Sequence, residues 1–182
     1  MQISENGRYF IGSDGKPVFW LGDTQWQLLR SFSLDDAVMT LRNRKNHGFS
    51  FVQVMLLGVD IELNINGDAP FHDSDPLQPN ENYFRHVDSV LEATSAIGDL
   101  MLVIGIYHMR YAEGCFTEEN VKDWGRWLGR RYRANPNIVW AMYPEAKPQY
   151  SRICRELAAG LAKGDGGTHL ITVHPDPAPA TS

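Results

Sequence analysis

Asn137-Ile-Val-Trp-Ala-Met-Tyr-Pro-Glu145 is the stretch whose reading decides the fold. Asn135-Pro136 stands just before it and stops a preceding helix, because proline disfavours the helical region for its neighbour. The run that follows is nearly all apolar, the pattern of a strand buried on both faces, as in a parallel sheet. It ends on a carboxylate just past a proline. In α/β folds ligands bind outside the carboxyl ends of parallel strands, so Glu145 occupies a position where chemistry is commonly done.

Strand and helix patterns alternate on both sides of this stretch. Arg8-Tyr-Phe-Ile11, Gly12-Ser-Asp-Gly15 and Pro17-Val-Phe-Trp-Leu21 read as strand, turn and strand, with Asp14-Gly15 suited to a tight hairpin. The second strand runs into Gly22-Asp-Thr-Gln-Trp26. Ser33 with Asp36 opens a helix whose face is Leu34, Ala37, Val38 and Leu41, and His47-Gly48 ends it. Phe51 to Leu57 is the next strand. A long loop over 58–81 separates it from a second helix marked by Phe84, Val87, Val90 and Leu91 and closed by Gly98.

Leu100 to Ile106 is a third strand leading into Tyr107-His-Met-Arg-Tyr111. Thr117, Glu118 and Glu119 suit the start of a third helix, with Val121, Trp124 and Leu128 as its buried stripe. After the opening stretch, Ile153, Leu157 and Leu161 mark a fourth helix that ends at Gly164-Asp-Gly-Gly167. Leu170 to Val173 is a fifth strand, running into His174-Pro175.

The order is βαβαβαβαβ after an N-terminal hairpin, which makes a parallel sheet. No Gly-x-Gly-x-x-Gly or phosphate-loop lysine follows a strand, so no nucleotide cofactor is expected and a barrel is favoured over a doubly wound sheet. A full (β/α)8 TIM barrel takes about 250 residues. The 182 residues supply about five strands, so the fold class expected is an incomplete (β/α)8 barrel, one domain over 1–182.

Composition narrows the function classes. Hydrophobic residues make up 43% of the chain, enough for a substantial core. A net charge of -5 with scattered lysines and arginines argues against a nucleic-acid footprint. No apolar run is long enough to span a bilayer, and the start lacks a signal-peptide pattern, so a soluble, by default cytoplasmic, protein is expected. Cys115 and Cys154 form no ligand or disulfide pattern, and Cys154 reads as a buried thiol beside Ile153 and Leu157. The histidines lack ligand spacing, so no metal is expected.

The candidate site residues cluster at strand ends. Glu145 reads either as a proton donor shielded by Trp140 or Tyr143, or as a solvated glutamate paired with Lys147. Asp23 and Trp26, at the end of the first barrel strand, suit a sugar hydroxyl and a flat sugar face. They also suit a turn aspartate and a core tryptophan. Gln53, like Gln25, adds amide groups and can point into the barrel interior. His108 and His174 can bind a substrate hydroxyl or simply their neighbours. Asp60 and Glu62 sit on the long rim loop, while Trp124 and Trp127 have core spacing.

Several segments together resemble the apiosidase-like glycoside hydrolases. They are Arg8-Tyr-Phe, Asp14 through Trp26, His47-Gly-Phe, Asn80 through Asp88, Gly125 through Tyr132, Asn137 through Trp140, and Gly164 through Pro175. The resemblance implies a (β/α)8 glycosidase acting on plant or pectic-type carbohydrate. It places Glu145 on the family's acidic residue at the end of the fourth strand, as general acid/base. It favours substrate contact for Asp23 and Trp26, beside which Gln53, His108, Tyr143 and His174 stand as further substrate-binding candidates by position. Tyr143-Pro144 replaces two glycines of the family segment, and Tyr107-His-Met109 replaces a Trp-Gly-Asp-like segment. The second carboxylate is expected beyond the chain end. The alternative is a catalytically inactive carbohydrate-binding barrel fragment, and exposed barrel edges imply self-association.

Overall fold

The computed structural model describes residues 1–12, 14–58, 63–107, 114–142 and 148–174. Two sheets result. Strands β1 (Gln2–Ile3), β2 (Phe10–Ile11) and β3 (Pro17–Val18) form a small antiparallel sheet in that order. Strands β4 (Gly22–Thr24), β5 (Phe51–Met55), β6 (Met101–Gly105), β7 (Ile138–Met142) and β8 (Leu170–Val173) form a parallel sheet in chain order. Sequential parallel neighbours joined by helices are the signature of a barrel wall.

The N-terminal region differs from its sequence pattern in two respects, the first being that Gln2–Ile3 adds a third strand to the expected hairpin. The apolar run Pro17–Leu21 is divided, its first two residues closing the small sheet while Gly22 begins the parallel one. Trp20 lies at the division. Its ring stacks 4.4 Å from Phe51 and 4.7 Å from Phe10, which ties the small sheet to the foot of β5. Gly22 pairs with Phe51 in the ladder, and a Cβ there would fall inside the Phe51 ring. Glycine is required at that close approach.

Helices α1 (Leu28–Ser31), α2 (Leu34–Asn46), α3 (Glu81–Ile97), α4 (Val121–Tyr132) and α5 (Ser151–Asp165) cover one face of the sheet. Ser33 caps α2 as expected, accepting from the Asp36 amide, and Gly98 closes α3. Asn120 rather than Thr117 precedes α4. Thr117 Oγ1 instead accepts from the Glu119 and Asn120 amides one turn earlier. Leu34 is 40% exposed and leaves the core stripe of α2 to Ala37 and Leu41.

Alternation along each strand divides the core in two. Val52, Val54, Leu102, Ile104, Ile138 and Trp140 face the helices in a continuous buried cluster with Cys154 at its margin. Val103, Val139 and Ala141 face the other way and pack with Trp20, Phe51, Met101 and Leu170. The second face is the lumen of a partial barrel. Among the described residues β4 and β8 each have one strand neighbour, and Ile171 and Val173 on β8 are 36% and 50% exposed.

Two features lock the helical layer. Arg131 on α4 donates to Asp88 (2.7 and 3.1 Å) and Glu81 on α3, and its guanidinium lies over Phe84 and Trp127. Those contacts explain why Trp127 stays at the helix surface without facing a ligand. Helices α4 and α5 approach through Gly125 and Gly129 on one side and Gly160 and Gly164 on the other. A Cβ on Gly125 or Gly129 would stand 2.7 or 2.6 Å from the carbonyl oxygens of Leu157 and Leu161. One on Gly160 or Gly164 would overlap the carbonyl oxygens of Lys122 and Arg126.

Alanine is the better helix former by about 1 kcal/mol, so a loosely packed helix would gain from Gly160→Ala or Gly164→Ala. Here we expect each to destabilise by roughly 1–3 kcal/mol through overpacking against backbone that has no free rotamer. Thermal denaturation checks this, and a raised melting temperature in either variant would contradict the backbone contact.

Candidate active site

In a parallel ladder the paired residues share a face. The row Thr24, Gln53, Val103, Val139 and Leu170 therefore points into the lumen, and the next row carries Ala141 and Thr172. His174 continues the alternation of Leu170 and Thr172 just past β8, with its amide donating to the Met142 carbonyl at 3.0 Å. Gln53, Thr172 and His174 line one cavity of about 370 Å³ with Trp20, Phe51, Val103, Val139 and Ala141. Its floor is aromatic and its polar groups come from the central and C-terminal parts of the strands.

Trp26 follows β4, and its ring lies 6.1 Å from that of His174 at 76°. Three strands separate β4 from β8 in the sheet. The two rings can meet only because the sheet curls and its edges face each other across the lumen. The backbone under Trp26 is held by β5: the Gln25 amide donates to the Gln53 carbonyl (2.8 Å), and the Met55 amide to the Trp26 carbonyl (3.2 Å). The structure thus brings together three sequence candidates, Trp26, Gln53 and His174.

Asp23 is placed differently. Its ladder partner is Val52, which is fully buried on the helix side, so the carboxylate projects toward α2. There Oδ2 accepts from Arg44 Nε and from Gln25 Nε2 at 2.9 Å. The expected acceptor for a sugar hydroxyl is already engaged inside the fold. Burial alone would raise its carboxyl pKa. Hydrogen bonds from Gln25, Arg44 and the Thr24 backbone, with the charge of Arg44, outweigh that and hold it below the usual carboxylate range.

Glu145, Tyr143, His108, Asp60 and Glu62 lie outside the described residues. Strand β7, which leads to Glu145, is buried along its whole length and ends at Met142. No group of three or more metal-ligating side chains occurs among the described residues, and no helix of the described residues is long and apolar enough to cross a membrane. Cys115 and Cys154 are free thiols. Burial pushes the Cys115 thiol up to about 11, with the Asp75 charge adding to it, which makes it a poor nucleophile at neutral pH.

Sequence reasoning missed two residues at this end. Thr172 was legible, since a lumen-facing His174 implies its neighbour two residues back. Arg44 was not, because a basic residue in the last turn of a helix is ordinary there.

A curled parallel sheet whose lumen holds Gln53, Thr172 and His174 defines a partial (β/α)-barrel. The apiosidase-like catalytic-domain family model matches residues 4–182, and the chain belongs to that family. A glycoside hydrolase family 5 structure from Bacteroides vulgatus is similar with a TM-score of 0.84 and 27% identity. The match covers 96% of this chain and 39% of that one. A second glycoside hydrolase structure matches with a TM-score of 0.84 and 28% identity over 96% of this chain and 40% of that chain. The Pseudomonas stutzeri endoglucanase Cel5A shares the fold alone, with a TM-score of 0.63, 11% identity, and coverage of 92% and 55%. A search of curated proteins found no match. The chain spans about two fifths of the first two structures.

The lowered Asp23 pKa has a consequence for stability. A carboxyl depressed in the folded state contributes stability that is present above its unfolded value, near 3.8, and is lost as pH falls through the folded value. Arg44→Met is expected to remove part of this contribution and flatten the acid limb below about pH 4. Unfolding followed by circular dichroism against pH checks it, and superimposable acid limbs would show that the pair contributes nothing.

Proposed function

We propose that this chain carries the acid/base side of a glycoside hydrolase site, with the lumen mouth as its sugar subsite. The observation that carries the reading is that Gln53 and His174 line one lumen cavity, with the Trp26 ring 6.1 Å from that of His174, in an apiosidase-like chain. A tryptophan ring offers an apolar face to sugar C–H groups, while an amide and an imidazole satisfy hydroxyls.

Glu145 is the general acid/base in this proposal. It lies three residues past the end of β7, whose Val139 and Ala141 line the cavity. Tyr143 and His108, which follow β7 and β6 in the sequence, are further substrate contacts. Glycoside hydrolysis needs a second carboxyl on the opposite side of the scissile bond. In this reading it comes from a later strand of a complete barrel, in keeping with the greater length of the related structures. Plant or pectic-type carbohydrate is the proposed substrate class.

Glu145→Gln is expected to lower turnover of aryl glycosides by roughly 10²–10⁴-fold, the contribution typical of a general acid. The assay is run on this chain and on a complete barrel containing it. Unchanged rates on every substrate that the parent protein hydrolyses would remove Glu145 from the mechanism.

Tyr143-Pro144 in place of two glycines and Tyr107-His-Met109 in place of a Trp-Gly-Asp-like segment favour one second reading, a barrel that binds carbohydrate without turnover. Calorimetry with pectic oligosaccharides distinguishes it by heat of binding without reducing-sugar release. The chain on its own, in which β4 and β8 each have one strand neighbour among the described residues, is proposed to self-associate. Sedimentation of the chain is expected to show concentration-dependent oligomers, and a cooperative monomer at all concentrations would count against it.

A further inference from the structure

We propose that Asp23 and Arg44 are positioning residues that hold Trp26 against His174 across the lumen, and that neither contacts the ligand. Trp26 as a sugar platform rests on the function proposed above. The positioning itself rests on three observations that do not depend on it.

The first is direction. Asp23 shares its ladder row with Val52, on the helix side, whereas the cavity is lined from the row of Gln53. The second is engagement. Asp23 Oδ2 takes both Arg44 Nε, from the last turn of α2, and Gln25 Nε2, so one carboxylate joins a helix to the strand end. Arg44 Nη1 is itself fixed at 2.7 Å from Asn43 Oδ1. Both members of the ion pair are only about a quarter exposed, at 28% for Arg44 and 27% for Asp23.

The third observation is where the link acts. Strand β4 is three residues long and has one strand neighbour among the described residues. Among the described residues no ladder holds its far side, and Arg44 adds a lateral tie from the helical layer. The tied residue lies three positions before Trp26, with Gln25 bonded to Asp23 by its side chain and to Gln53 by its backbone. A shift at Asp23 is thus passed to Trp26 through two residues that have few other ways to absorb it. Because His174 is supplied by the opposite edge strand, such a shift changes the width of the lumen mouth.

The test labels the five tryptophans with 5-fluorotryptophan and reads 19F NMR of the ligand-free chain. Trp26→Phe assigns the Trp26 resonance. In Asp23→Asn and in Arg44→Met the Trp26 resonance is expected to move while the other four stay in place. Restoration in the swapped pair, Asp23→Arg with Arg44→Asp, is the readout that loss of packing alone would not give. Oligosaccharide affinity is expected to fall in both single variants.

A Trp26 resonance at its wild-type position in Asp23→Asn, with sugar affinity lost, would make Asp23 a ligand contact and overturn the proposal. If all five resonances move in Asp23→Asn, the Arg44→Met spectrum decides, since it leaves the carboxylate in place. An unmoved Trp26 there overturns the proposal too. The readout needs no turnover, so an inactive complete barrel containing this chain, with a shifted Trp26 resonance in both variants, would reject the hydrolase reading and keep the positioning pair.

Discussion

Each central strand of the parallel sheet has to bury two faces against unlike partners. One face meets helices through large side chains such as Trp140, Ile104 and Val54, and the other meets side chains from strands around the same lumen. Alternation with a period of two makes this division unforgiving, because a slip of one residue exchanges the two sets. The site follows from the division. Gln53, Thr172 and His174 are polar residues in rows that point inward, while Val52, and Ile171 and Val173 by their pairing with helix-facing Trp140 and Met142, belong to the other rows.

The floor of the lumen and the helical layer are each completed by an approach that only glycine permits. Trp20 over Phe51, with Gly22 beneath the ring, ties the antiparallel sheet to the N-terminal end of the barrel wall. On the outside, four glycines let α4 and α5 touch backbone to backbone on either side of β7. The turn into β8 is tied in the same region. His169 Nε2 lies 2.7 Å from the Asn135 carbonyl, and Nδ1 lies 3.1 Å from buried Asp165. A carbonyl only accepts, so Nε2 carries a proton there.

Much of the fold was legible because its determinants are local. The apolar runs at Phe51, Leu100, Asn137 and Leu170 fall on strands, and the caps at Ser33 and Gly98 fall where the hydrogen bonds place them. Pro17–Leu21 was read as one strand because composition alone does not show where a chain changes sheets. The site was legible in part. Trp26 and His174 are 148 residues apart in sequence, and their meeting depends on the curvature of the whole sheet, which no local pattern carries. Asp23 was assigned by position at a strand end. Its direction depends on register with Val52, and its partner lies 21 residues away on a helix.

The cavity also bears on the chemistry. Its lining among the described residues is aromatic, aliphatic and amide, with His174 as the one titratable side chain. The fixed charges nearest to β4, those of Asp23 and Arg44, neutralise one another on the helix side of the sheet. Turning Asp23 toward α2 keeps an ionised carboxylate out of the lumen wall, where burial without a partner would penalise its charge, and gives it the hydrogen bonds from Arg44 and Gln25 that hold it ionised.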